Sequence, residues 1–332
     1  MARHAAKLPE ALGTVFTLAE ALEAGVSRQR LRRGDVGSLF RGVYHRIDGD
    51  AAKPYGPERE EESAHAPLPW HVEHLARAKA FGRMMRGKHW FFSGVTAALL
   101  LGIPLPSGPF RQLEVAVHSP ARPPRREGIR GVRVRRELAD VRELRGMRLT
   151  SPASTWGMLA SRFTLQDVVA CGDAVIHRDR IPGTNRLGQP PMGTLEELRA
   201  EVDRGRRPGV RRLREALPLL RTGSASPPET HTRLLLRDAG LPEPTLDYDV
   251  FGRNGRLLGC SEIAYPDLRV ALEYESEHHR VSRRQWNRDI EKYRAYSEAG
   301  WQVVRVTSAL LYRRPEELIR QIREAVRSNP QR

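Results

Sequence analysis

The part of this sequence best suited to chemistry is a pair of acid-bearing segments near the C-terminal end. Leu257 to Tyr265 (L-L-G-C-S-E-I-A-Y) and Val270 to Glu275 (V-A-L-E-Y-E) read as two strands joined across Pro266, Asp267, Leu268 and Arg269. A turn of those four residues pairs Tyr265 with Val270, and counting back along the ladder brings Glu262 opposite Glu273. The two-residue period then puts Ala271, Glu273 and Glu275 on one face, and Val270, Leu272 and Tyr274 on the other, the expected core face. Like charges crowded on neighbouring strands repel, so the patch calls for a cation, bound protons or solvent. A hard divalent ion answers that need. Mg²⁺ (or Mn²⁺) takes one or two carboxylates, keeps several waters and accepts a phosphate oxygen, which makes Glu262 and Glu273 the expected metal ligands. Glu277, His278, His279 and Arg280 follow directly: the histidines can carry a proton to or from a water or a leaving oxygen, and Arg280 can hold a phosphate. The competing reading is an acidic sheet edge facing solvent with no ion.

Elements on either side must position this patch. Ser226-Pro227-Pro228-Glu229 reads as a helix start, with proline in its first positions, Ser226 as cap and Glu229 in the first turn. Glu229 is either a capping carboxylate or a further member of the patch. Leu234, Leu235 and Ala239 give that helix a buried face, and Gly240 ends it. Downstream, Trp286, Ile290, Tyr293 and Trp301 are spaced as core residues of a helix that leads into a strand from Gln302 to Val306. Asp289 on that helix is placed to orient His279 or an arginine.

These residues carry a resemblance. The run C-S-E-I-A-Y-P-D-L-R-V-A-L-E-Y-E-S-E-H-H-R, then R-R-Q-W-N-R-D-I-E-K-Y and A-G-W-Q-V-V-R-V-T, resembles the very-short-patch-repair-like (Vsr-like) domain of the PD-(D/E)XK nuclease superfamily, over about residues 224 to 327. The resemblance implies a central mixed sheet flanked by helices and Mg²⁺-dependent cleavage of a phosphodiester. It also implies roles for Glu229 on the first helix, Glu262 and Glu273 on the strands, His279 after them and Asp289 on the next helix. The sequence departs from the family pattern at four places: Glu262 stands where Asp is usual, Glu275 where the motif has Lys, Ser276 where Gly is usual, and Lys292 where Arg is usual. With Glu275 in place of the cation, His278, His279 or Arg280 must supply the positive charge, and Glu275 or His279 would orient or deprotonate the water.

The N-terminal segment reads differently. Thr17 and Glu20 form a capping box (T-L-A-E) for a helix that stops at Gly25, and Ser27 caps a second, short helix, R-Q-R-L-R-R, with Leu31 inward. Ser38 to Ile47 then reads as a two-stranded wing turning near Arg41-Gly42. That order is the order of a winged helix-turn-helix, in which Arg28, Gln29, Arg30, Arg32, Arg33 and Arg41 would meet DNA. The first 50 residues resemble the winged helix of AbiEi-like antitoxins from type IV toxin-antitoxin systems. A short helical cap that touches no DNA is the alternative.

Charge agrees with a polyanionic partner. The 332 residues hold 56 Lys+Arg against 40 Asp+Glu, net +16, and residues 51–223 hold 30 of the cations against 18 of the acids. Arg122 to Arg148 has ten arginines against four acids, and Arg199 to Arg214 seven against two. A coding bias toward arginine on a solvated surface is the competing explanation. Two cysteines, Cys171 and Cys260, supply neither a disulfide framework nor a four-thiolate zinc site, which favours a reducing cytoplasm. Residues 1–13 lack the apolar run of a secretory signal. His89 to Phe110 carries no formal charge, but Pro104, Pro106 and Pro109 break it well short of a membrane span.

The expected architecture is α/β (α+β). It comprises a winged helix-turn-helix over 1–50, a Pro/Gly/Glu-rich linker over 51–69, and a mixed α/β middle over 70–180. A basic linker or helix follows over 181–223, with Asp179 to Gln189 and Arg204 to Gly223 loop-like, and a restriction-endonuclease-like domain of mixed sheet flanked by helices over 224–332. Two functions fit: a Mg²⁺-dependent endonuclease acting on DNA, in repair or phage defence, or a DNA-binding regulator or antitoxin that keeps the nuclease fold without turnover. DNA is the expected partner, with a second copy of the chain or a toxin as protein partner. Neither a membrane nor a small-molecule cofactor is expected.

Overall fold

Short apolar runs broken by Gly and Pro make short strands, and the amphipathic segments between them make helices. The computed structural model describes residues 8–13, 15–40, 42–46, 69–85, 87–108, 110–275 and 283–328, with 15, 38–40, 69 and 283–289 described through the backbone. Arg41 and most of the expected linker therefore lie outside the described residues. The fold class is α/β, and the chain divides into two compact units: Met1–Leu100 with Gly108–Ser151, and Leu101–Ser107 with Pro152–Arg332.

In the first unit, β1 (Val15–Thr17) leads into α1 (Leu18–Glu23), and β2 (Val36–Phe40) and β3 (Val43–Arg46) form the expected wing, in a sheet of order β1-β3-β2. Both arms of the capping box form: Glu20 N donates to Thr17 Oγ1 at 3.2 Å, and Thr17 N to Glu20 Oε2 at 2.7 Å. The expected second helix is a single 3₁₀ turn, Arg30–Arg32, capped by Ser27. Its one apolar anchor, Leu31, is buried beside Phe16, Ala21 and Val36, and Gly34 ends it before helix propagation can offset nucleation. Arg30 is tied to Asp35 by bonds of 2.8 and 2.5 Å, so it is not a free reading head. Arg28, Gln29, Arg32 and Arg33 remain exposed.

The same unit continues through α2 (Pro69–Met84), β4 (Phe91–Phe92), α3 (Gly94–Leu101), β5 (Leu113–His118), β6 (Ile129–Val134), β7 (Val141–Leu144) and β8 (Met147–Thr150). These strands form a second sheet, β6-β5-β4-β8-β7, whose inner strand β5 is buried almost throughout. Packing of α2 on β1 and β2 joins the wing to this region, so no boundary between compact units falls at 50–69. All ten arginines from Arg122 to Arg148 are exposed. Among the described residues, no helix is long and apolar enough to cross a membrane.

The second unit opens with α4 (Pro152–Leu159) and α5 (Leu165–Ile176), followed by the hairpin β9 (Asp179–Arg180) and β10 (Leu187–Gln189), then α6 (Leu195–Asp203) and α7 (Val210–Ala216). Residues 181–223, expected as a basic linker or helix, form two helices, and α7 lies inside Arg204 to Gly223, an expected loop. Three of their arginines are structural: Arg204 and Arg207 bind the fully buried Glu201 at 3.1 and 2.5 Å, and Arg212 donates to the Ala160 carbonyl. Next come α8 (Pro227–Asp238), β11 (Thr245–Phe251), β12 (Leu257–Tyr265), β13 (Val270–Glu275), α9 (Arg283–Glu298), β14 (Gln302–Thr307), α10 (Ser308–Arg313) and α11 (Pro315–Arg327). Their sheet runs β11-β12-β13-β14, an antiparallel meander closed by a fourth strand parallel to the third. The crossover through α9 is what a parallel neighbour requires. One face packs Val270, Leu272 and Val306 against α8, α10 and α11. The other packs Ala271 and Val303 against Tyr296 of α9. Ile290, expected in the core, is half exposed.

The helical layer and the sheet share one unit because α5 is bolted to α8. Arg233, fully buried, donates to Asp173 Oδ2 at 3.0 Å and to the Leu219 carbonyl at 2.8 Å, while Thr230 and the Arg221 amide satisfy the rest of the carboxylate. Burial pushes the Asp173 carboxyl up to about 6, against the pull of Arg233 and those hydrogen bonds. Removing one partner strands a buried charge, so Asp173→Ala should lower unfolding free energy in urea titrations by about 3–5 kcal/mol. Asp173→Leu combined with Arg233→Met should lose far less. A single-variant loss below about 1 kcal/mol would show that this pair does not hold the layers together.

Candidate active site

The site is built on the β12–β13 hairpin, whose turn, Pro266–Leu268, is closed by Arg269 in the left-handed region at φ 47°. The register is the expected one: Tyr265 pairs with Val270, Ala264 with Ala271, and Ile263 with Leu272. At the next level the ladder opens. The Tyr274 amide donates to Glu262 Oε2 at 2.9 Å, so the Glu262 carboxylate takes the place of a strand partner. Glu273, beside it, is buried with 4% of its surface exposed. Glu229 reaches the same region from the first turn of α8. It accepts from the Ala225 amide and the Ser226 hydroxyl, both at 2.8 Å, so Ser226 serves Glu229 instead of capping the helix.

These three carboxylates feel one another. Burial pushes the Glu262 carboxyl up to about 8, with Glu229 and Glu273 raising it further, against the Tyr274 amide and Lys292. Burial likewise pushes Glu229 up to about 7, with added repulsion from Glu273 and Asp247, against its two hydrogen bonds. Near neutral pH the cluster therefore retains protons that isolated carboxylates would have lost. Lys292 of α9 bonds Glu273 Oε2 at 2.8 Å and supplies the cation of the site.

Glu275 stands apart from the cluster. The parallel pairing of β13 with β14 sets Arg305 level with Glu273. Arg305 Nε then reaches Glu275 Oε1 at 2.7 Å, and the Tyr293 hydroxyl donates to the same atom at 3.0 Å. A carboxylate so occupied is held as an ion pair, which corrects its expected role in orienting or deprotonating water. His278, His279 and Arg280 lie outside the described residues, as does the Asp289 side chain.

Sequence reasoning missed β11 and what it brings. Leu246 pairs with Ile263 and Tyr248 with Ser261, which sets Asp247 level with Glu262. Asp247 is left-handed at φ 51°. The Cys260 thiol donates to its Oδ1 at 2.8 Å, and Arg180 Nε from β9 donates to its Oδ2 at 2.8 Å. Arg180 also bonds Asp249. Two aspartates in alternation, D-Y-D, are unusual for a strand, and that was the available signal.

Among the described residues, no three His, Cys, Asp or Glu side chains converge as a ready-made cage for an ion. The hard oxygen donors of Glu262 and Glu273 suit Mg²⁺, which needs only one or two carboxylates and keeps its waters. The raised proton affinity of Glu262 and Glu229 comes first from burial and then from the neighbouring carboxylates.

No protein-family model matches this chain. The chain is 30% identical over 184 residues to two curated proteins of Mycobacterium tuberculosis, described as "Uncharacterized protein MT2308" and "Uncharacterized protein Rv2248". The matches cover 55% of this chain, which spans 64% of the length of those relatives. The crystal structure of the RV2827C protein from Mycobacterium tuberculosis is 16% identical with a TM-score of 0.37, over 72% of this chain and 84% of that one.

The raised carboxyls set the sign of a pH effect. The folded chain binds more protons than the unfolded chain between the ordinary glutamate value and about 8, so this cluster's contribution to stability falls as pH rises through that window. Glu262→Gln removes the titrating group. Its stability relative to the parent should rise by about 1–3 kcal/mol between pH 5 and pH 8.5 in urea titrations without divalent ions. A difference independent of pH would show that the fold does not raise the Glu262 carboxyl.

Proposed function

We propose that this chain is a DNA-binding protein whose second unit carries a Mg²⁺-dependent endonuclease site. The observation that carries the reading is the placing of buried Glu229 and Glu273, from a helix start and a strand, with Glu262 on the neighbouring strand holding the Tyr274 amide. In this reading Glu262 and Glu273 hold Mg²⁺ (or Mn²⁺), which when bound would draw electron density from a phosphodiester and from a water. Lys292 supplies the positive charge that position 275 lacks, against the developing charge on the phosphate. Glu229 titrates near neutrality, where a carboxylate can accept the proton of the attacking water. His278 and His279 are proposed to return a proton to the leaving oxygen, and Arg280 to hold the phosphate, with Asp289 orienting His279.

DNA would be positioned by the first unit. Ten exposed arginines between Arg122 and Arg148, with Arg28, Arg32 and Arg33 beyond the N-terminal helix, suit backbone phosphates, and Gln29 and Arg41 add to that set.

A second reading has its own observation. Lys292 already satisfies one oxygen of Glu273 without an ion, which is what a regulator or antitoxin with a non-catalytic nuclease fold would keep. Purified protein with Mn²⁺ and supercoiled or mismatched plasmid separates the readings. The endonuclease reading expects nicking that falls at least about a hundredfold in Glu273→Ala while salt-dependent DNA binding persists. DNA binding with neither nicking nor uptake of Mg²⁺ by calorimetry favours the regulator, and equal nicking by both proteins rejects the assigned site.

A further inference from the structure

The second sheet of the first unit carries arginines that the fold does not use. Between Arg122 and Arg136 the chain has seven arginines and one acid, Glu127. Arg130 is held by Glu114 at 3.3 Å, Arg135 by Glu137 at 3.4 Å, and Arg126 donates to the Met84 sulfur at 3.4 Å. Arg122, Arg125 and Arg133 are exposed and make no hydrogen bond or ion pair among the described residues. Like charges grouped this way repel, and a polyanion relieves the repulsion.

The proline segment before β6 makes these three one surface. Pro123 and Pro124 fix φ, and a residue before proline is held extended, so Arg122 to Arg125 forms a stiff extended rod. At the three residues per turn of such a rod, Arg122 and Arg125 leave it on the same side, about 9 Å apart. The rod lies on β6: Pro124 is buried, and a Cβ at Gly131 would fall 2.5 Å from the Pro124 carbonyl oxygen and 3.0 Å from Pro123 Cβ. Gly131 has no positive φ that would require glycine, so the requirement here is for close approach of backbone. Arg133, two residues on, shares the face that Gly131 presents to the prolines, while Arg130 meets Glu114 on the other. The three arginines therefore stand on backbone that loses little freedom when a ligand binds.

The chemistry of the surroundings selects the partner. Residues 111–151 contain no Phe, Trp or Tyr, so nothing here can stack an unpaired base. Among the described residues of that span, no large apolar side chain is exposed to enter a lipid surface. The winged part offers no helix to read a major groove, because Arg30–Arg32 is one 3₁₀ turn, about 6 Å long. We propose that the proline-braced ledge of Arg122, Arg125 and Arg133 is where this chain holds duplex DNA, by its phosphates and without regard to base sequence. The inference rests on the DNA-binding part of the proposed function and deepens it, naming the form of DNA, the mode of contact and the three side chains on which affinity depends.

Fluorescence anisotropy on the full chain, with a short DNA duplex and no divalent ion so that no strand is cut, gives Kd as a function of salt. Arg122→Gln, Arg125→Gln and Arg133→Gln together should lower the slope of log Kd against log salt by about three and weaken binding about a hundredfold at low salt. Arg237→Gln, Arg314→Gln and Arg320→Gln together remove the same charge from exposed residues paired with Asp238, Glu317 and Glu324, and should change Kd less than about threefold. Gly131→Ala, which pushes the prolines off β6 with net charge unchanged, should weaken binding about tenfold. A second duplex of unrelated sequence should bind within about threefold of the first. Parent-like affinity and salt slope in the triple ledge variant overturn the inference while leaving DNA binding standing. Tighter binding by the parent to single-stranded DNA, duplex RNA or phosphatidylserine vesicles than to the DNA duplex also overturns it. A parent protein without affinity for duplex DNA overturns the DNA-binding reading and this inference with it.

Discussion

The second unit is organised around a conflict: carboxylates from a helix start and from two neighbouring strands are held where water cannot fully screen them. The β12–β13 ladder is continuous up to Ile263 and Leu272 and then yields, and the Glu262 side chain fills the place of a strand bond. Burial in a protein interior penalises ionised carboxylates, and nearby like charges add to the penalty, so such a cluster persists only with protons, a fixed cation or a bound ion. The fold supplies part of the answer through Lys292 on α9. Both faces of the sheet are packed, which prevents the strands from splaying to relieve the repulsion.

Much of this was legible in the sequence. The proline-containing turn fixed the hairpin register, and with it the neighbourhood of Glu262 and Glu273, because a one-residue slip would have sent Val270 and Leu272 to the wrong face. The capping box at Thr17 and the proline start before Glu229 marked their helices for local reasons that tertiary context did not override. What escaped depends on contacts distant in sequence. Arg305 claims Glu275 only because β14 lies parallel to β13, and no local pattern announces a partner 30 residues away. The basic stretch from Arg199 to Arg214 resembled a phosphate-binding linker by composition. Three of its arginines instead hold Glu201 and a carbonyl inside a helical layer. Asp247 went unnoticed because a left-handed residue in a strand is stabilised by Arg180 from another hairpin.

In the proposed reading, function divides along the same line as the fold. The first unit concentrates exposed arginine and little that could react, while the second holds the buried acids and spends many of its arginines on structure. A surface of exposed guanidinium groups attracts phosphate at long range and with little sequence preference. A buried acidic cluster needs its substrate and ion delivered in fixed geometry. In that reading the two requirements fall to different parts of the polypeptide.

Anomalous diffraction from crystals soaked in Mn²⁺ tests the central claim most directly, because it locates the ion without relying on turnover. The expected result is a single strong peak in bonding contact with carboxylate oxygens of both Glu262 and Glu273, with the Lys292 ammonium drawn off the oxygen it now binds. Density empty of any such peak at saturating Mn²⁺, with Lys292 still seated on Glu273, would contradict it.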